Sequence, residues 1–319
     1  MEVLKTQRPM QDRGVDSILE IIDVGSGERK TLKEFPTLIE APNWTVDGKF
    51  LVYNSGGRIY TYELASGAVE RVDTGFADRC NNDHVLSADG QMLAISHGTR
   101  EDGRSRVYTL PLAGGTPALI TPIAPSYLHG ISPDGGTLAY CGERNGQYDI
   151  YTIPSVGGVE TQLTDLPGLD DGPEYSPCGR YIWFCSTRSG LMQVWRMDSD
   201  GGNQVQFTFD EDWNNWFPHI SPDGTRIAYI AYRKGDVEPA AHPPNKHVEL
   251  RLMSVGGGSG SGGGGSGGSS GSGGGSSGNG GSGYTKLAEL FGGQGTINVN
   301  SWSPDSRKIA FVSYRLKNQ

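Results

Sequence analysis

The sequence contains no stretch of about 18 apolar residues, the length needed to span a bilayer, and its N-terminus has no apolar core of signal-peptide length. Lys and Arg form no run, and the net charge of −9 and pI near 5.2 argue against the basic surface that nucleic acids and anionic membranes reward. We therefore expect a soluble, cytoplasmic protein without membrane insertion or nucleic-acid binding. A periplasmic location stays open if a signal peptide was removed.

Cysteine pairs and familiar catalytic motifs are also missing. The four cysteines form no CxxC pair, so zinc-type or redox spacing is absent. Cys141 and Cys185 occupy the same position in successive repeats, which indicates two buried small side chains rather than a disulfide. No Ser/His/Asp order, phosphate-binding glycine loop or HExxH is present. These absences favour a protein without catalytic activity.

What the sequence does contain is a repeat of about 44 residues, built around the turn motif S-P-D-G. The Asp position of the motif falls at Asp47, Asp89, Asp134, Cys178, Asp223 and Asp305. Pro presets φ for a tight turn, Asp bonds its own backbone, and Gly accepts positive φ. Runs rich in β-branched and aromatic residues flank each turn, which predicts four short antiparallel strands per unit.

The two ends of the chain share the sixth unit. After Trp302 the chain supplies only the first two strands of a unit, and residues 17–35 supply two more, separated by a GSG turn. We therefore predict an all-β, six-bladed β-propeller with four-stranded antiparallel blades, closed by N-terminal strands that complete the C-terminal blade. Residues 1–319 are predicted to form a single domain and a monomer.

A Gly/Ser tract covers residues 256–283 and is interrupted only by Asn279. Its composition is that of a flexible linker, and it falls between the third and fourth strands of the fifth blade. The sequence leaves open whether this insertion is natural or engineered.

The pattern SPDG-x-x-IAF…IY…GG…LT resembles the propeller repeat of the bacterial TolB family, which is related to the propellers of prolyl oligopeptidases and oligogalacturonate lyases. The resemblance covers about Ser17 to Arg315. It implies a six-bladed propeller that acts as a non-catalytic binding module. The expected ligand is a protein segment or a small anionic or carbohydrate molecule, bound at the loop-rich face around the central channel.

That face carries the connections between strands two and three and those between blades, and it holds candidate site residues just before the innermost strands. These are His84, His129, Glu174 and His219. One interpretation makes His84, His129 and His219 ligands of a divalent metal at the channel mouth. The resemblance to oligogalacturonate lyases, which use a His-bound metal, then implies a metal-dependent carbohydrate-active enzyme as the alternative function. The other interpretation is that these side chains bond neighbouring backbone.

An arginine recurs near the end of the second strand, and four further residues of the fifth blade complete the candidates. The arginines are Arg100, Arg144, Arg188, Arg233 and Arg315, with Arg58 close to register. They would suit an anionic ligand, or they pair with acidic residues such as Asp102, Glu143 or Asp149. In the segment 210–219, Trp213, Asn214 and Trp216 suit a sugar or peptide, unless they pack between blades. The long loop after Tyr232, which carries His242, is either a lid or a variable insertion.

Overall fold

The structure is a computed structural model that describes residues 14–256 and 283–317. Within these ranges the chain forms strands, turns and bends but no helix, so no helix there could cross a membrane. The strands form six sheets, and each sheet is one blade of antiparallel neighbours. The predicted six-bladed β-propeller is confirmed.

The first three blades each run from their innermost to their outermost strand in chain order. Blade one contains β3 (Glu40–Trp44), β4 (Phe50–Ser55), β5 (Arg58–Glu63) and β6 (Val69–Arg71). Blade two contains β7 (Cys80–Leu86), β8 (Met92–Gly98), β9 (Ser105–Pro111) and β10 (Ala118–Leu119). Blade three contains β11 (Ser126–Ile131), β12 (Thr137–Arg144), β13 (Gln147–Pro154) and β14 (Thr161–Gln162).

The next two blades follow the same order, and the sixth combines both ends of the chain. Blade four contains β15 (Asp170–Tyr175), β16 (Tyr181–Ser186), β17 (Gln193–Asp198) and β18 (Val205–Gln206). Blade five contains β19 (Trp213–Ile220), β20 (Arg226–Arg233), β21 (Pro244–Ser254) and β22 (Tyr284–Gly293). Blade six contains β1 (Val15–Asp23), β2 (Arg29–Phe35) and β23 (Lys308–Leu316).

The seam of the ring lies in blade six. Strand β1 pairs with β23 along its whole length, from Val15 opposite Leu316 to Asp23 opposite Lys308. An isolated bridge between Trp302 and Ile309 adds an innermost position to this blade. The closure predicted from the sequence is therefore confirmed, and the pairing leaves neither β1 nor β23 as a free edge.

Hydrogen bonds within the S-P-D-G turns explain the repeated motif. In blade three, Ser132 Oγ donates to Asp134 Oδ1 at 2.5 Å, and the Gly136 N–H donates to the same oxygen at 2.9 Å. Gly135 has φ 72°, where a side chain would be strained. The Ser132 hydroxyl and the Gly136 amide lower the pKa of Asp134. The motif Asp is therefore a turn residue, on the face opposite the candidate functional face.

The core lies between neighbouring blades rather than in one central mass. One cluster, for example, joins Val107 of blade two with Leu128 and Tyr140 of blade three. Cys141 and Cys185 are buried free thiols at equivalent positions of β12 and β16, as the repeat indicated. The inner strands are thus buried on both faces between stacked blades. For this reason their sequences are nearly continuous apolar runs.

The Gly/Ser tract joins the two longest strands of blade five, β21 and β22. Residues 257–282 of the predicted flexible insertion 256–283 lie outside the described residues. The strands on either side pair from Met253 opposite Tyr284 onwards, so the blade continues directly up to the tract on both sides.

The innermost strands of blades one to five each contain a β-bulge at a similar height. The irregularities fall between Glu40 and Asn43, Cys80 and His84, Leu128 and Gly130, Asp171 and Glu174, and Trp216 and His219. A bulge inserts an extra residue and changes the direction of the side chains that follow it. The bulges therefore decide which side chains reach the channel.

Candidate binding site at the channel mouth

Three neighbouring blades place acidic and imidazole side chains together on the loop-rich face. Asp83 lies in β7, His129 in β11 and Asp171 in β15, the innermost strands of blades two, three and four. His129 Nε2 is 3.2 Å from Asp171 Oδ1 and 4.0 Å from Asp83 Oδ1. All three side chains are buried. The channel mouth thus contains two carboxylates that share one imidazole.

A second imidazole comes from the long connection between β20 and β21. His242 packs against the rings of Trp216 and Phe217, at centroid distances of 4.4 and 5.2 Å, and its Nε2 lies 3.8 Å from Asp171 Oδ2. This part of the connection therefore contributes a side chain to the site.

These side chains surround a cavity of about 30 Å³, which we call the mouth cavity. Its lining includes Asp83, His129, Asp171 and His242, together with Asn298 from the segment between β22 and β23. The remaining lining is mostly aromatic or apolar and includes Tyr127, Tyr148, Leu169 and Phe217. None of the described lining residues is Lys or Arg. The cavity therefore offers carboxylates and aromatic faces rather than cationic groups.

Amide groups hold the Asp83 carboxylate in place. Asn81 Nδ2 donates to Asp83 Oδ2 at 2.5 Å, and Asn298 Nδ2 donates to Asp83 Oδ1 at 2.6 Å. Burial nevertheless raises the pKa of Asp83, with a further contribution from the Asp171 charge. The amides satisfy the carboxylate oxygens but supply no opposite charge.

The other three titratable groups of the mouth shift in different directions. Burial opposes the charged form of His129, but its hydrogen bond to Asp171 and the negative charges of Asp171 and Asp83 outweigh burial and raise the pKa of His129. Burial likewise opposes the charged form of Asp171, and the contact with His129 outweighs it, so the pKa of Asp171 is lowered. Burial lowers the pKa of His242. His129 and Asp171 thus form an ion pair beside a neutral His242.

A second cluster, which we call the channel network, lies two to three residues further along the innermost strands. Glu174 Oε1 accepts from Asn300 Nδ2 at 2.6 Å and from the Ile220 N–H at 2.9 Å. Glu174 Oε2 meets His219 Nδ1 at 2.7 Å, and His219 Nε2 donates to the Ile297 carbonyl. Both ring nitrogens of His219 thus contact oxygen atoms. Each polar side chain named in this network has a hydrogen-bond partner.

The three histidines proposed as metal ligands have separate environments. His129 belongs to the mouth cavity and His219 to the channel network. His84 Nε2 contacts the Val52 carbonyl at 3.3 Å, between blades one and two, and burial lowers the pKa of His84 to about 4. Within residues 14–256 and 283–317, no three His, Cys, Asp or Glu side chains could hold a metal ion together. His84, His129 and His219 do not fit a shared metal.

Arg144 and Arg188, two of the repeated arginines, bind carboxylates of their own blades. Arg144 forms a bidentate pair with Glu160, with both distances 2.7 Å, and stacks on Tyr151. Arg188 donates to Asp170 at 2.5 Å. Arg233 is exposed at the end of β20. None of these three arginines lines the mouth cavity.

The acidic partners differ from those that the sequence suggested. Asp102 binds Arg106, and Glu143 lies 3.7 Å from Arg104. Asp149 accepts hydrogen bonds from Gln147 and Thr164. Arg144 and Arg188 pair with other carboxylates because their long side chains reach Glu160 in the connection after β13 and Asp170 in β15.

The aromatic segment of blade five is mostly internal. Trp216 and Asn214 are fully buried, and Asn214 Oδ1 accepts from the Met192 N–H at 3.0 Å. Trp213 is half-buried and stacks on the buried Arg251 at 4.2 Å. These residues support the blade from within, and Trp216 reaches the site through its contacts with His242 and Phe217.

Known proteins share both the sequence and this architecture. The family described as TolB beta propeller domain matches residues 120–257. An uncharacterized protein of Agrobacterium fabrum is 42% identical over 299 residues, which cover 93% of this chain and 92% of the relative. A solved Agrobacterium tumefaciens structure, provisionally named TolB, is 41% identical with a TM-score of 0.82, covering 94% of this chain and 99% of that one. The chain belongs to the TolB-like six-bladed β-propeller family.

Named TolB proteins match over a shorter range. The Tol-Pal system protein TolB of Francisella tularensis is 27% identical over 146 residues, which are 44% of this chain and 33% of that protein. The crystal structure of TolB from Acinetobacter baumannii has a TM-score of 0.58 at 21% identity, covering 77% of this chain and 62% of that one, and it shows the shared fold alone. The chain thus spans about a third of the length of the curated TolB proteins that it matches.

Sequence reasoning on this TolB-like propeller missed Asp83, Asp171 and Asn298. Counting back four and five places from each motif Asp reached His84, His129, Glu174 and His219, whereas the mouth carboxylates stand one or two places further upstream. Extending the count past the bulges would have found Asp83 in the segment NNDH and the acidic pair in the segment LDDG. Asn298 has no sequence signal, because only the closed ring brings it to Asp83.

Proposed function

We propose that the chain is a single-domain, non-catalytic binding module that holds a protein segment at its loop-rich face, centred on the mouth cavity. The observation that carries the proposal is a buried polar cavity with aromatic walls in the middle of a rigid ring. Tyr127, Tyr148 and Leu169 are half-buried at this cavity, so part of its lining is accessible from outside. Concave sites with a few convergent polar groups in apolar walls are typical of binding sites.

A peptide library screen tests where binding occurs. Peptides selected against the wild-type protein are measured by calorimetry against two variants that each add one positive charge. Leu169→Arg places the charge at the mouth cavity. Val156→Arg places it on a fully solvated turn of the opposite face, where Val156 is 89% exposed.

We expect Leu169→Arg to weaken peptide binding at least tenfold, because the guanidinium crowds the mouth, and Val156→Arg to leave binding within about twofold. Equal effects of the two substitutions, with both proteins folded by circular dichroism, would place binding elsewhere and overturn the proposal.

For the cellular location, the proposal takes the periplasmic alternative instead of the cytoplasmic one, because the named relatives are Tol-Pal system proteins. Fractionation of the native host, with a periplasmic and a cytoplasmic marker enzyme, checks this. Recovery of the protein with the cytoplasmic marker would reject it.

A further inference from the structure

Several features of the mouth cavity indicate which chemical group binds in it. The inference about this group rests on the proposed function. The mouth cavity has about 30 Å³ of space for the centre of a water-sized group, more than the roughly 10–15 Å³ that one water molecule needs. The cavity can therefore take a small group at the end of a longer molecule.

The charge of the lining favours a cation. Two carboxylates, Asp83 and Asp171, face one imidazolium, that of His129, at 4.0 and 3.2 Å. Asp83 receives hydrogen bonds only from amides, so one negative charge of the cluster lacks a counter-charge of its own. A buried carboxylate in this position is stabilised by any cation that enters the cavity.

A buried ring nitrogen without a partner gives the second, independent indication. His242 Nδ1 is buried and has no hydrogen-bond partner among the described residues. The other ring nitrogen, Nε2, lies 3.8 Å from Asp171 Oδ2. A buried polar atom without a partner is costly, and a hydrogen-bonding group on the ligand would satisfy it.

The walls add aromatic faces. Phe217 stacks on His129 at 5.9 Å, and Tyr127 and Tyr148 complete this side of the cavity. Cations are attracted to the faces of such rings, and carboxylates beside aromatic rings are a recurring arrangement in ammonium recognition.

We propose that the mouth cavity is an ammonium subsite, which takes the –NH₃⁺ group of a bound protein segment, either a lysine side chain or the N-terminal amine. The ammonium group has three donors, and the lining includes the carboxylates of Asp83 and Asp171 and the imidazole of His242. Its charge adds a second cation beside two carboxylates that otherwise share the His129 imidazole.

Small ammonium ions test the subsite directly. In protein labelled with ¹³C-histidine, the ring signals of His129 and His242 are followed by NMR during titration at pH 7. Methylammonium is expected to shift both signals saturably, with a Kd on the order of 10 mM, near the limit for a ligand of two heavy atoms. Tetramethylammonium, which has the same charge but exceeds the cavity, and neutral acetamide are expected to shift neither.

Variants with matched charge changes show where the ion binds. Asp83→Asn and Asp171→Asn each remove one mouth carboxylate and should weaken the binding of methylammonium at least tenfold. Asp134→Asn makes the same change in an exposed turn of the opposite face and should leave the Kd for methylammonium within twofold of the wild-type value. Thermal melting verifies that each variant is folded, and agreement between the two mouth variants guards against a local rearrangement in one of them.

Two further probes distinguish the sources of the ammonium group. Nα-acetyl-lysine methylamide carries it on a side chain, and alanine methylamide carries it at an N-terminus. Saturable shifts with either one support the subsite, and the tighter of the two identifies the source.

Failure of all the ammonium probes overturns the subsite, as does binding of methylammonium without binding of either amino-acid probe. Shifts produced by Ca²⁺ alone would assign the cavity to a metal ion instead. None of these results decides the proposed function, which depends on the separate comparison of Leu169→Arg with Val156→Arg.

Discussion

The mouth cavity and the channel network are built from the same residue types but differ in how completely their polar groups are paired. Both combine carboxylates, imidazoles and an asparagine from the segment between β22 and β23. In the channel network, Glu174 and His219 bond to each other, and the Ile297 carbonyl, the Ile220 N–H and the Asn300 amide complete their hydrogen bonds. In the mouth cavity, Asp83 and Asp171 share the single imidazole of His129, and His242 Nδ1 has no hydrogen-bond partner among the described residues.

This difference indicates that residue type alone does not identify a site in the channel of a propeller. Buried polar groups are normally satisfied, and a satisfied cluster contributes to stability. A cluster with unpaired polar groups beside a cavity lowers the stability of the folded protein, and a ligand can form hydrogen bonds or ion pairs with those groups. The two clusters should therefore respond in opposite ways when a carboxylate is removed.

The largest effect is expected for Glu174→Ala in the channel network. The substitution leaves the His219 ring, the Ile220 N–H and the Asn300 amide without their buried acceptor. Breaking a buried pair in this way costs about 3–5 kcal/mol in the free energy of unfolding. Denaturant unfolding at pH 7 measures it, with the exposed Glu101→Ala as the matched control. A loss below about 1 kcal/mol would show that the network is not the stabilising cluster that its geometry describes.

A histidine outside both clusters isolates the effect of burial. Burial lowers the pKa of His84 to about 4. Between about pH 6.5 and pH 4, His84 is therefore protonated in the unfolded chain but neutral in the folded protein. Stability therefore falls as the pH drops through this window, by up to about 3 kcal/mol from this residue.

In His84→Gln the fall in stability between pH 7 and pH 4.5 should be shallower by about that amount. Denaturant unfolding at the two pH values measures the slope. His242, whose pKa burial also lowers, keeps part of the slope in both proteins. Identical slopes for wild type and variant would mean that His84 is not the buried neutral ring described here.

A smaller loss, about 1–2 kcal/mol, is expected for Asp171→Asn in the mouth cavity, because its ion pair with His129 is replaced by a neutral contact. The raised pKa of His129 stabilises the fold below about pH 6.5, and this contribution is lost as the pH rises through the folded-state pKa. The lowered pKa of Asp171 stabilises the fold above about pH 3.9, and this contribution is lost on acidification through the folded-state pKa. The loss should therefore be greatest near pH 5–6.

The same variant has a signature that a merely structural role would not produce. Without the Asp171 charge, burial dominates the His129 ring, and its pKa should fall below that of free imidazole. An NMR titration of the His129 ring reports this directly. If the pKa stays raised in Asp171→Asn, Asp83 rather than Asp171 is the partner of His129.

The fold could be predicted because its signals are local. The Ser132–Asp134 turn, with Gly135 at positive φ, is encoded within five residues and recurs in every blade with small changes. The split blade was also visible, because residues 17–35 supply the two strands missing after Trp302. Each turn motif alone is a weak indication of structure, but six repeats of the same turn-and-strand pattern together predict a six-bladed propeller.

The site could not be predicted to the same degree, because its geometry depends on the bulges and on ring closure. A bulge such as that between Asp171 and Glu174 sends residues three positions apart into different clusters. His242 reaches the mouth from a long connection whose path the sequence does not determine. Arg144 was visible as a repeated arginine, but its partner Glu160 is 16 positions away, across the blade.

The smallest effect, and the only one of opposite sign, is expected for Asp83→Asn. Burial raises the pKa of Asp83, so the charged form is less favourable in the folded protein than in the unfolded chain at pH 7. Replacing this carboxylate with an isosteric amide should keep the unfolding free energy unchanged or increase it by up to about 1 kcal/mol.

Acidification distinguishes this gain from a general improvement in packing. As the pH falls towards the raised pKa, Asp83 takes up a proton in the folded protein, so the wild type recovers stability relative to Asp83→Asn and the difference shrinks. Denaturant unfolding at pH 7 and pH 5 measures both values. A loss of several kcal/mol at pH 7, comparable to that of Glu174→Ala, would show that Asp83 is a satisfied structural carboxylate. The contrast between the mouth cavity and the channel network would then disappear.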